Sequence, residues 1–119
     1  MYADQLLRLS ETTDQMLAEI VGSESHWAES RAARHALEER LLALVKLVHR
    51  LDETAGETQV ALLEKGQRPD KKFNLVGQGC LALDFVLRAL DNYVDTDDRV
   101  FLGLARNGAE LVGSIRKTF

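Results

Sequence analysis

The feature that most constrains the fold is a strict four-three alternation of apolar residues in the first half of the chain. Its members are Leu37, Leu41, Leu44, Val48 and Leu51. This is the spacing of core positions in a coiled coil, in which one stripe of a helix is hidden against a partner. The same register extends back to Tyr2 and forward to Leu62, with a polar interruption from Ser23 to Arg34. The stripe, called the N-terminal seam below, therefore predicts helical structure built to pair with something.

Two arrangements of the first 66 residues fit this seam. Gly22 and the serines that follow it could end one helix and cap another, so that residues 2–21 fold back on residues 26–54. Alternatively, the helix runs on through Gly22, for about 75–80 Å at 1.5 Å per residue. Because the seam keeps its phase across Gly22, we favour the continuous helix.

The second half of the chain predicts a helical hairpin. Gly66 and Pro69 end the first part, since Gly suits a helix C-terminus and Pro cannot continue a helix. The next helix starts at Pro69 or Asp70 and carries a second seam: Phe73, Val76, Cys80, Leu83, Leu87, Leu90 and Val94. After a polar connection at residues 95–98, in which Thr96 or Asp97 is the expected N-cap, a last helix places Phe101, Leu104, Leu111 and Ile115 inward.

We therefore predict an all-α protein with two parts. Residues 1–66 form a long N-terminal coiled-coil helix, and residues 67–119 form a two-helix hairpin that is half of a dimeric four-helix bundle. A single Pro, eight Gly and 6% aromatic residues agree with a helical rather than a β-rich fold. The expected dimer interface consists of Leu37, Leu41, Leu44, Val48 and Leu51 with Leu83, Leu87 and Leu90.

No arrangement of residues predicts catalysis, a metal or a cofactor. His26, His35 and His49 do not share a helical face at a ligand spacing, and Cys80 falls within the second seam as a small core residue. Gly77 and Gly79 lack the third glycine of a dinucleotide loop. The basic cluster of Lys65, Arg68, Lys71 and Lys72 is interpreted as a solvated turn, although a protein partner could use it. We predict that the chain is not an enzyme.

Charge and the single cysteine bear on partners and compartment. The net charge of −4 provides no general attraction for nucleic acid or an anionic bilayer. Cys80 has no partner for an internal disulfide, and the first ten residues lack a signal pattern, which favours the cytoplasm. No apolar run approaches the roughly 20 residues that span a bilayer.

The stretch from Cys80 to Asp91 resembles the signature of the GrpE family of nucleotide exchange factors, a Leu-Pro-Val-Leu-Asp-Asn-Leu-Glu-Arg-Ala-Leu sequence. Leu83, Asp84, Arg88, Ala89 and Leu90 match it at the same spacing. Leu81 stands where the family has Pro, and Phe85 where it has Asn. The family's C-terminal β domain, which makes the main chaperone contact, is absent from these 119 residues.

The resemblance implies a homodimer that acts on a DnaK-type chaperone. Such a protein would hold the chaperone's nucleotide-binding domain open and weaken its affinity for ADP, with no chemistry of its own. Asp84 and Arg88 lie four residues apart and are expected to pair along the helix surface as residues of the bundle rather than as partner contacts. The alternative is a coiled-coil adaptor or regulatory module without exchange activity, and a helical-bundle enzyme is the least favoured.

Overall fold

The computed structural model describes residues 2–119, and helices account for nearly all of them. In chain order they are α1 (Tyr2–Gly22), α2 (Glu24–Trp27), α3 (Arg31–Glu64), α4 (Lys71–Thr96) and α5 (Arg99–Arg116). No strand occurs within residues 2–119. The all-α class predicted from the sequence is therefore confirmed.

The chain reverses direction between Gly22 and Ser30, so the predicted continuous helix is wrong and the hairpin alternative is right. Three polar groups make the reversal favourable. The Ser23 hydroxyl donates to the Glu19 carbonyl at 2.6 Å, and the Trp27 indole Nε1 donates to the Ile20 carbonyl at 2.8 Å. Ser30 then caps α3, accepting from the Ala33 amide at 3.2 Å. The last turn of α1 and the first turn of α3 thus both find partners for backbone groups that a helix end leaves open.

Helices α1 and α3 run antiparallel, and contacts at both ends fix their alignment. Near the reversal, the Arg40 guanidinium donates to both Glu19 carboxylate oxygens, at 2.6 and 2.8 Å. This hydrogen bond lowers the pKa of Glu19. At the far end, the Tyr2 and Thr58 hydroxyls share a hydrogen bond of 2.6 Å.

The N-terminal seam is buried within one chain. Leu37, Leu41, Val48 and Leu51 are 1–6% exposed, and Leu44 is partly buried against the same core. The matching stripe of α1 buries Leu6, Met16 and Ile20. The apolar surface that suggested a second copy is thus covered by the protein's own helices.

The connection between α3 and α4 follows the sequence signals closely. Gly66 adopts a positive φ of 74°, which glycine tolerates without the strain of a Cβ. The Gln67 amide then reaches back to the Leu62 carbonyl at 2.9 Å, closing the C-terminus of α3. Asp70 caps α4 by accepting from the Lys72 amide. The predicted break at Gly66 to Pro69 is confirmed, whereas α3 passes through Ala55 and Gly56 without interruption.

Helix α4 is the centre of the fold and packs against α1, α3 and α5. Its inner residues include Leu83, Val86, Leu87 and Leu90, all of them essentially inaccessible to solvent. By length and composition it could cross a membrane, contrary to the expectation from apolar runs, but half of its most apolar stretch is buried among the other helices. Its apolar character is accounted for by this central position.

A cluster of aromatic and cationic groups ties the reversal to the end of α4. Trp27 is buried and meets the Tyr93 ring edge-on, with 5.4 Å between centroids. The Arg34 guanidinium lies over the Trp27 ring at 5.2 Å and donates to the Val94 carbonyl at 2.6 Å. The polar interruption of the N-terminal seam is therefore a set of structural contacts. Beyond this end of α4, Asp98 rather than Thr96 or Asp97 caps α5, by accepting from the Val100 amide at 3.0 Å.

Candidate interaction surface

The residues that resemble the GrpE signature divide between the core and the surface of α4. Leu83, Ala89 and Leu90 are buried. Asp84 and Arg88 project outward, and the Arg88 Nε donates to the Asp84 carboxylate at 2.9 Å, which confirms the expected pairing. Three of the signature residues are thus packing residues, and two form an ion pair at the surface.

The residues predicted to form the dimer interface have little surface left for a second molecule. Leu83, Leu87 and Leu90 are as deeply buried as the N-terminal seam, each within a single chain. The physical reason is that α1, α3 and α5 of the same chain all pack against α4. A dimer that keeps this fold must therefore use other residues.

A different set of large apolar side chains is exposed, on the side where α4 and α5 lie together. Leu81 and Phe85 of α4 are 74% and 45% exposed, and Leu104 and Leu111 of α5 are 38% and 56% exposed. The prediction that Leu104 and Leu111 face inward is therefore wrong. We call these four residues the α4–α5 face. Leu81, Phe85 and Leu111 border a hollow of about 530 Å³ between the two helices, with Gln78 and Asn107 at its edge. Scattered exposed leucines are ordinary, but a contiguous apolar patch is typical of an interaction site.

Gly108 forms part of the floor of this hollow and allows α5 to approach α4 closely. A Cβ at this position would lie 2.7 Å from Cγ2 of Val86 and 2.9 Å from Cδ1 of Phe85. Either distance is shorter than two carbon atoms tolerate. The absence of a side chain at Gly108 therefore lets Phe85 lie over α5.

The exposed side of each of these helices repeats the four-three spacing in a second register. On α4 it comprises Asn74, Gln78, Leu81, Phe85, Arg88 and Asn92, and on α5 Val100, Leu104, Asn107, Leu111 and Ser114. All are exposed, and Arg88, already paired with Asp84, is the one charged side chain among them. These two outward stripes were readable in the sequence but were hidden behind the stronger apolar pattern of the inner faces. Scarcity of charge is a compositional mark of interface centres.

The other candidate residues do not come together as a site. Among residues 2–119, no group of three or more His, Cys, Asp or Glu side chains is placed to hold a metal ion. Cys80 is buried, and burial, assisted by the charge of Asp52, raises the pKa of its thiol to about 12. Such a thiol is a poor nucleophile near neutral pH. His49 instead lies 2.9 Å from the Asp84 carboxylate and joins α3 to α4.

Comparison with known proteins finds no matching family model, no matching curated protein and no matching solved structure. The resemblance to the GrpE signature rests on the residues quoted above.

Proposed function

We propose that this chain is a non-catalytic helical interaction module that works through its α4–α5 face. The observation that carries the proposal is the exposure of four large apolar side chains, three of which border a hollow, on helices whose outer stripes are almost without charge. The fold buries the inner apolar stripes of its helices. Large apolar side chains that nevertheless stay exposed to solvent on the α4–α5 face are best explained by a partner that covers them.

The partner we propose is a second copy of the chain, so that the two α4–α5 hairpins form a dimeric four-helix bundle. Three features favour this occupant. The outer stripes of both helices have the coiled-coil spacing that such bundles use. Leu81, the most exposed of the four, projects from the same face that contains the hollow above Gly108. A projection and a hollow on one face suit a two-fold contact, in which both copies present the same surface to each other. The near absence of charge means that identical faces meet without repulsion.

The exposed fractions of the four side chains indicate the strength of such a dimer. They amount to about two complete large apolar side chains per copy, and each is worth about 1.5–3 kcal/mol when buried. Two copies then gain about 6–12 kcal/mol, which is comparable to the roughly 4–15 kcal/mol that association costs. The most favourable combination of gain and cost leaves about 8 kcal/mol, so we expect a concentration-dependent dimer with a Kd no tighter than about 1 μM rather than an obligate one.

Sedimentation equilibrium of the full chain tests this proposal. The wild type should approach twice the 13.3 kDa mass of one chain as its concentration rises. Leu81→Glu should remain at one chain, with an unchanged helical circular dichroism spectrum because this side chain lies in solvent. Val60→Glu is the matched control, since Val60 is an exposed apolar residue of α3 away from the face. A wild type that stays monomeric to about 500 μM, or a control that dissociates equally, would overturn the proposal.

Nucleotide exchange on a DnaK-type chaperone is the second candidate, and the resemblance of residues 80–91 to the GrpE signature supports it. The measurement is the rate of ADP release from an ADP-loaded chaperone after addition of this protein. Faster release supports exchange activity. Chaperone binding without faster release favours the adaptor, and no binding removes the chaperone as a partner.

A further inference from the structure

A second groove lies on the opposite flank of α4, where this helix meets α3. It is a cavity of about 310 Å³ whose apolar lining consists of Leu41, Leu42, Val45 and Leu87. The side chains of Arg88, His35 and Glu39 line it as well. The carboxylates of Glu38, on α3, and Asp91, on α4, line the same cavity. We call it the α3–α4 groove. It combines an apolar floor with negative charge contributed by two helices.

The cations nearest to these carboxylates have other partners. Arg88 pairs with the Asp84 carboxylate, one turn earlier on α4. His35 Nε2 lies 3.1 Å from the Glu39 carboxylate, one turn later on α3. Arg34 donates to backbone carbonyl groups. Among residues 2–119, no Lys, Arg or His nitrogen lies within 4 Å of the Glu38 or Asp91 carboxylate. The groove therefore holds negative charge that the described residues do not neutralise by direct ion pairing.

The pKa values of the Glu38 and Asp91 carboxyl groups reflect this excess of negative charge. Burial, followed by repulsion from Asp91 and Asp95, raises the pKa of Glu38, and these effects outweigh the attraction of the nearby cations. Burial and repulsion from Asp95 likewise raise the pKa of Asp91, and they outweigh the attraction of Arg88. A positive charge brought into the groove from outside would be favourable.

We propose that the α3–α4 groove binds a basic segment of a partner protein, with a Lys or Arg side chain lying along Leu42 and Val45 and its charged end between Glu38 and Asp91. Long basic side chains have this combination of an aliphatic stem and a terminal cation. A bare metal ion would use the carboxylates but not the apolar floor, and residues 2–119 lack a convergent set of ligands for one. The groove is distinct from the α4–α5 face, so this interaction does not depend on dimer formation.

Fluorescence anisotropy with a designed probe tests the inference. The probe is a fluorescein-labelled helical peptide of Leu and Lys, with leucines at three- and four-residue spacing, and its counterpart has Glu for every Lys. The lysine peptide should bind and the glutamate peptide should not. The double variant Glu38→Gln with Asp91→Asn should weaken binding about tenfold, as expected for two partly exposed charge pairs.

The matched control is the double variant Asp52→Asn with Glu53→Gln, which removes the same charge from exposed positions of α3. It should bind the lysine peptide nearly as the wild type does, since only long-range attraction is lost. Equal weakening in both double variants would show non-specific attraction and overturn the proposal, as would failure of the lysine peptide to bind. Repeating every titration in the Leu81→Glu background separates this result from the dimer. Loss of binding through Leu81→Glu alone would place the peptide on the α4–α5 face and also overturn it.

Discussion

The close contact between α4 and α5 predicts that two glycines of the same helix respond oppositely to alanine. Gly103 is exposed, and a Cβ there would meet nothing within 4 Å. Gly103→Ala should therefore stabilise the protein by about 0.8–1.0 kcal/mol, the difference in helix propensity between the two residues. Gly108→Ala gains the same propensity but places its Cβ 2.7 Å from Cγ2 of Val86.

The cost at Gly108 follows from what can move. Val86 is completely buried and β-branched, so its side chain has few alternative rotamers. Phe85 is half-exposed and can swing toward solvent, although this disturbs the α4–α5 face. Overpacking of this kind costs about 1–3 kcal/mol, so Gly108→Ala should change stability by between about 0 and −2 kcal/mol. The separation between the two variants, about 1–3 kcal/mol, is the quantity to measure.

Urea denaturation followed by circular dichroism at 222 nm gives this separation directly from the two midpoints, provided that the slopes agree. It should be measured at low protein concentration so that assembly does not contribute. If Gly108→Ala stabilises the protein as much as Gly103→Ala, the contact of α5 with Val86 is looser than described. The explanation of the hollow in the α4–α5 face then fails.

Three other predictions concern the interior and the groove. Arg34→Ala should destabilise the protein by about 1–3 kcal/mol in the same assay, because the carbonyl groups that it binds lose a charged donor; an unchanged midpoint would contradict that role. Cys80 should react with a thiol reagent at pH 8 only in urea, because burial raises its thiol pKa to about 12; rapid reaction of the folded protein would show that it is accessible. Folding raises the pKa values of Glu38 and Asp91. Their contribution to the stability of the folded protein is therefore favourable below the ordinary carboxyl pKa, and it is lost as the pH rises through the raised value. Relative to wild type, the variant Glu38→Gln with Asp91→Asn should therefore gain stability between about pH 4 and pH 7, and a constant difference would contradict this.

Local signals in the sequence predicted the second half of the chain well. The break at Gly66 and Pro69, and the start of the next helix close to Asp70, depend on a few neighbouring residues whose backbone preferences are strong. The reversal after Gly22 depends on less distinctive signals. Ser23, Ser25 and Ser30 are all possible caps, and only tertiary contacts select Ser30. The N-terminal seam keeps its phase across the reversal because Trp27, on the inward side of α2, occupies a core position of the heptad register although the chain turns there.

The position of the interaction surface depends on information that a repeat does not contain. A four-three pattern shows that a stripe will be hidden, but the covering helix can belong to the same chain or to another. Here α1, α3 and α5 of the same chain pack against α4, and Leu83 and Leu87 are buried. Leu81 and Phe85, where the chain departs from the GrpE signature, stay in solvent. The residues available to a partner are therefore those left exposed after the chain has covered its strongest stripes, which is why we propose that the weaker outward register determines assembly.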